Sequence, residues 1–231
     1  MLHILLLTAG MTLISYSVPA INFTNEDTNE YAVSENVVDL SEFFTLSNTF
    51  IGTYVAGGKV DYQAIKTNRN QLDALTTMIQ QADLAEASKD TKTAFYINAY
   101  NLLVIQNVVD HMPITSPLDV KGFFDAIKFS IAGETLTLNE IENKKLRPDP
   151  RVHFVLVCAA KGCPKMLNEA YMPDKVQAQL NAQTKKALND PDFIRIDPAN
   201  KKVFISQIFD WYKDDFLKSN ASIREYVNRY R

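Results

Sequence analysis

The stretch RVHFVLVCAAKGCP, Arg151 to Pro164, gathers both cysteines of the chain and one of its three histidines into fourteen consecutive positions. Residues 152–158 are β-branched, aromatic or aliphatic apart from His153 and Cys158, and contain neither glycine nor proline, the pattern of a buried strand. With period-two alternation, His153, Val155 and Val157 share one face, and Val152, Phe154, Leu156 and Cys158 the other. On that reading His153 and Cys158 point apart. Cys163, beyond Ala159-Ala160-Lys161-Gly162, has the reach to return to either face. A Cys–His pair, if formed, is therefore Cys163 with His153.

Outward from this strand, helices and hairpins alternate. A short helix is expected over residues 37–48, a turn at Gly57-Gly58, and a long helix from Val60 to about Leu84 carrying Ile65, Leu72, Leu75 and Ile79 at helical spacing. The most apolar segment, residues 91–111, reads as the central helix, stopped by Pro113. Residues 127–132 and 135–138 read as a hairpin turning at Ala132-Gly133-Glu134. A short helix over 139–146, a helix over 173–188, a second hairpin around Asp197-Pro198-Ala199-Asn200 and two closing helices complete the pattern. Hairpins without regular βαβ crossovers give the class α+β, with a mostly antiparallel sheet packed against a central helix.

The chain has 231 residues, enough for one domain with a full core. Its net charge of −3 and scattered basic residues give no footprint for nucleic acid. The apolar run Ile4–Ile14 before Val18-Pro19-Ala20 has the form of a signal peptide over residues 1–20, cleaved after Ala20. No cysteine follows that site to carry a lipid, and the apolar run is short for a spanning helix, so no stable membrane anchor is expected after cleavage. Polar residues 21–36 read as a flexible leader to a single domain over 37–231. Export leaves the cysteines open to two fates, a disulfide closing a tight loop or a reactive thiol kept reduced.

Five phrases in order resemble one family, the domain of unknown function 547: VDYQAIK from Val60, AFYINAYN from Ala94, TLNEIENKKLR from Thr137, DPRVHFVLVCAAKGCP from Asp149 and FDWYKDDF from Phe209. The resemblance implies no known activity. The family's motif glutamates, His153 and the Cys163-Pro164 dipeptide invite comparison with papain-like thiol enzymes, which would require a papain-like core of permuted connectivity, since the order here is carboxylate, histidine, cysteine.

A catalytic cysteine needs a lowered pKa from an imidazole or a helix N-terminus, and Pro164 suits a first helical position. The candidate catalytic set is Cys163 as nucleophile, His153 as base and then acid, and Glu142 as the group that orients the imidazole. Glu140 is the alternative orienter, because Asn139 with Glu142 also has the form of a capping box. The reaction class would be acyl transfer or amide hydrolysis on a small molecule or peptide. Asn98 and Asn101, three apart on an apolar helix, require partners, either neighbouring loop backbone or a ligand. With Tyr100 they are candidate substrate-binding residues, and Arg147 and Arg151 could hold an anionic group. Two cysteines and His153 are a poor zinc set, so neither metal nor cofactor is expected. The rival from another class is a binding module without chemistry, its loop locked by a Cys158–Cys163 disulfide. The aromatic phrase around Trp211 and Tyr212 reads as packing.

Overall fold

The computed structural model describes residues 38–147, 149–158 and 164–231. They fall in one compact unit, Asn36–Arg231. The segments read as signal peptide and leader, and Cys163 with them, lie outside the described residues.

The fold is α+β, organised on the helix α4, Lys89–His111. Ser88 caps its start by accepting from the Thr91 backbone N–H. From Ala94 to Val109 all but one of its residues are buried, so it is enclosed on every side, as a helix apolar all round must be. Around it pack α1 (Leu40–Tyr54), α2 (Tyr62–Thr67) and α3 (Asn70–Gln81), which contribute Phe43, Phe50, Ile65, Leu72, Leu75 and Ile79 to the core. The single helix expected from Val60 to Leu84 is in fact two. The polar run Thr67-Asn68-Arg69-Asn70 holds poor helix formers, and Asn68 leaves helical geometry to cap α2, so the periodicity continues across a break.

Among the described residues the strands form three separate antiparallel pairs, not one sheet. β1 (Val55–Ala56) with β2 (Lys59–Val60) turns at Gly57-Gly58, β3 (Lys128–Ile131) with β4 (Glu134–Thr137) turns at Ala132-Gly133, and β5 (Ile194–Asp197) pairs with β6 (Lys202–Ile205). Next come α5 (Leu138–Ile141), a π-helical turn at Glu142–Leu146 and a 3-10 helix at Pro150–Phe154. The chain closes with α6 (Val176–Asn189), α7 (Ile208–Trp211), α8 (Lys213–Leu217) and α9 (Ile223–Asn228).

The opening stretch departs from its sequence reading. Residues 152–158 are not a strand: Val152, His153 and Phe154 complete the 3-10 helix, and Val155 to Cys158 is irregular. Asp149 starts this helix by accepting from the Arg151 N–H, with Pro150 at its first position. A short apolar run records burial, and burial alone does not choose strand over helix. The period-two argument that set His153 opposite Cys158 therefore lapses.

Candidate functional site

A buried polar network assembles around His153. The side chain is fully buried, and both ring nitrogens meet carboxylates: Nδ1 lies 3.0 Å from Glu142 Oε1 and Nε2 lies 2.8 Å from Asp215 Oδ2. Asp215 in turn accepts from Arg147 Nε at 2.6 Å and Nη2 at 2.9 Å, a two-point guanidinium–carboxylate pair. The Tyr212 ring stacks on the imidazole with centroids 3.7 Å apart, and Arg147 lies 5.6 Å from the centre of the same ring.

Local structure explains each placement. The backbone N–H of Arg147 donates to Glu142 O, the i→i+5 bond of the π-helical turn. That bond stacks residue 147 over residue 142, where α-helical spacing would send them to different faces. Glu142 and Arg147 thereby reach the same network. Glu140 is taken elsewhere: it closes a capping box with Thr137, at 3.0 and 3.1 Å, and pairs with Lys144. The box expected at Asn139 sits two residues earlier. Asp215 arrives by packing. Its neighbour Phe216 is wholly buried against Phe154, Phe209 and Tyr226, which docks α8 on the 3-10 helix that carries His153.

Burial raises the carboxyl of Asp215, but the hydrogen bonds from Arg147 and His153 outweigh it and hold its pKa below the usual carboxylate value. Burial first, and then the Glu142 carboxylate, push the phenols of Tyr100 and Tyr212 well above their ordinary range. Both therefore remain O–H donors at any physiological pH. With Glu142 and Cys158 they line a cleft of about 430 Å³, which Lys121, Gly122 and Asp125 also line.

The two asparagines of α4 bind loop backbone, Asn101 within the cysteine segment and Asn98 beyond it at Tyr171. Asn101 donates to Val155 O and accepts from Val157 N–H, each at 3.0 Å. Asn98 does the same with Tyr171, at 2.8 and 2.9 Å. Both amides bind loop backbone in the way a neighbouring strand would, which satisfies polar groups of the irregular chain there. Arg151 is fixed by Asp149, Asn181 and Gln177. Arg147 and Arg151 line a different cleft from Tyr100, so the residues expected to bind substrate divide between two places. Asp215 and Tyr212 were missed by the sequence reading. Both lie in the phrase FDWYKDDF, but nothing there distinguishes Asp215 from Asp210 or Asp214 before α8 is docked.

No cysteine among the described residues is free. Among them, too, no group of three or more His, Cys, Asp or Glu side chains is arranged to hold a metal ion. None of the described helices is long and apolar enough to cross a membrane. No curated protein and no solved structure is found to match the chain. The family described as "Protein of unknown function, DUF547" matches residues 84–187, which run from before α4 through the π-helical turn and the cysteine segment into α6. Over those residues the chain matches the DUF547 family, in agreement with the phrases that suggested it.

Proposed function

We propose that this chain is an exported binding module whose cysteine segment is locked by a Cys158–Cys163 disulfide and performs no chemistry. The observation that carries this reading is the occupation of both His153 nitrogens by carboxylates, at 3.0 and 2.8 Å. An imidazole that serves a thiolate needs one nitrogen turned toward sulfur. Here the second nitrogen meets Asp215, which Arg147 holds at two points. The lack of a free cysteine among the described residues supports the same reading. The ligand would be a small molecule or peptide seated in the Tyr100–Glu142–Tyr212 cleft, with hydroxyl or amino groups to meet one carboxylate and two phenols. In this reading the signal peptide leaves after Ala20, no membrane anchor remains, and nucleic acid is not a partner.

Intact-mass analysis of the mature protein under non-reducing conditions tests the disulfide, which appears as the loss of two hydrogens against the reduced chain. Cys158→Ser and Cys163→Ser would then each lower stability by about 2 kcal/mol, because either breaks the same short loop closure. Unequal losses, with a free thiol at Cys163, would refute the proposal.

A second reading has one observation in its favour, the contact between Glu142 and His153 Nδ1. That is the carboxylate–imidazole pair of a thiol hydrolase or acyltransferase of permuted papain-like type, with Cys163 as nucleophile and His153 as its base. It requires Asp215 to release Nε2. Rapid alkylation of Cys163 by iodoacetamide at neutral pH, faster than in the denatured chain, would favour it.

A further inference from the structure

The chain carries a net charge of −3, yet one of its clefts is lined by more cations than carboxylates. This cleft, of about 920 Å³, is lined by Lys89, Lys92, Lys144, Lys145, Arg147 and Arg151 against three carboxylates, Asp83, Glu134 and Asp149. Composition does not produce this excess; the fold does. The first turns of α4 supply Lys89 and Lys92, the π-helical turn supplies Lys144 and Lys145, and the segment after it supplies the arginines. Ala87, just before α4, and Thr93 of its second turn line the same space.

We propose that this cleft binds an oxyanion ligand with two or more negative groups, phosphates or carboxylates on a small molecule. Three features argue for this. A concave wall with an excess of cations over carboxylates, backed by the apolar side chains Leu84, Leu146 and Val152, focuses the field and concentrates anionic solutes. Four of the six cations are already held in place. Lys144 is paired with Glu140, Lys145 with Glu134, Arg147 with Asp215 and Arg151 with Asp149. Holding them beforehand reduces the entropy lost on binding. An ammonium has three donors and a guanidinium five, so each of these cations keeps at least one N–H beyond those given to its carboxylate and, for the arginines, to Asn143, Asn181 and Gln177. The volume lies in the range of ligand sites and exceeds what a single phosphate fills. The site lies apart from the Tyr100–Glu142–Tyr212 cleft and is independent of the disulfide reading.

Titration calorimetry of the mature protein with tripolyphosphate and, separately, with citrate tests the proposal and distinguishes phosphate from carboxylate preference. Binding is expected at about 20 mM salt and should weaken about tenfold at about 200 mM, as screening shortens the reach of the field. The double variant Lys89→Glu, Lys92→Glu should weaken it by a further factor of about ten or more. Acidic residues are favoured in the first turn of a helix, so this variant should fold. Lys89→Gln, Lys92→Gln provides an intermediate loss with no added charge. Lys121→Glu, in the other cleft, should leave affinity unchanged. No binding of either probe at low salt would overturn the proposal. So would binding that the Lys89/Lys92 variants leave intact, or that Lys121→Glu abolishes.

Discussion

Replacing Asp215 with alanine removes three hydrogen bonds at once, two from Arg147 and one from His153. The two donors lose unequally. The Arg147 side chain is 30% exposed, so water takes up much of its freed hydrogen-bonding capacity. His153 is enclosed, and its Nε2 is left facing a cavity without a partner. Breaking a buried charged pair costs about 3–5 kcal/mol, and the exposure of Arg147 brings the expectation to about 3 kcal/mol. With a urea m-value of about 2 kcal/mol/M, the unfolding midpoint should fall by about 1.5 M. A cycle with Arg147→Ala should return a coupling of about 1–3 kcal/mol. The pH dependence follows from the lowered pKa of Asp215. Its contribution is fully present above the ordinary carboxylate value of 3.8 and is lost as pH falls through the lower folded value. The gap between wild type and Asp215→Ala should thus stay constant from neutrality down to about pH 5 and close below about pH 4. A midpoint shift under about 0.5 M, or no coupling to Arg147, would refute the account of Asp215 as the clamp on His153.

Asn101→Ala should cost about 2–4 kcal/mol in thermal or urea unfolding, because it strands the buried Val155 C=O and Val157 N–H; a loss below about 1 kcal/mol would mean that the cysteine segment finds other partners. Gly122 and Gly133 both have positive φ, +75° and +77°, but a Cβ at Gly122 would meet the Ala126 Cβ at 2.4 Å, whereas one at Gly133 meets nothing within 4 Å. Gly133→Ala should therefore cost about 1 kcal/mol from backbone strain alone, and Gly122→Ala clearly more, in parallel melts.

The sequence by itself was enough for the class and the frame. The apolar run of α4, the Gly57-Gly58 and Ala132-Gly133 turns, and the interleaving of hairpins with helices are local signals, set by periodicity and turn chemistry within a few residues. The family phrases around Asn98, Asn101 and His153 also marked the region where polar groups become buried. The site itself was a tertiary decision. Residues 152–158 carry the apolar pattern of a strand, yet no described strand pairs with them, and Asn101 supplies from a helix the bonds that a neighbouring strand would have given. Glu142 and Arg147 meet the same imidazole network only because a π-helical turn brings positions five apart into line. Asp215, more than sixty residues beyond His153, was one of three aspartates in an aromatic phrase until the packing of Phe216 on Phe154 turned it inward. The basic cleft was equally hidden, since its lysines are dispersed through an acidic chain and gather only where α4 meets the π-helical turn. Hydrogen bonding and hydrophobic burial along an element leave a local imprint in sequence. The meeting of side chains from separate elements depends on how those elements dock, and docking is fixed by the shape of the whole core.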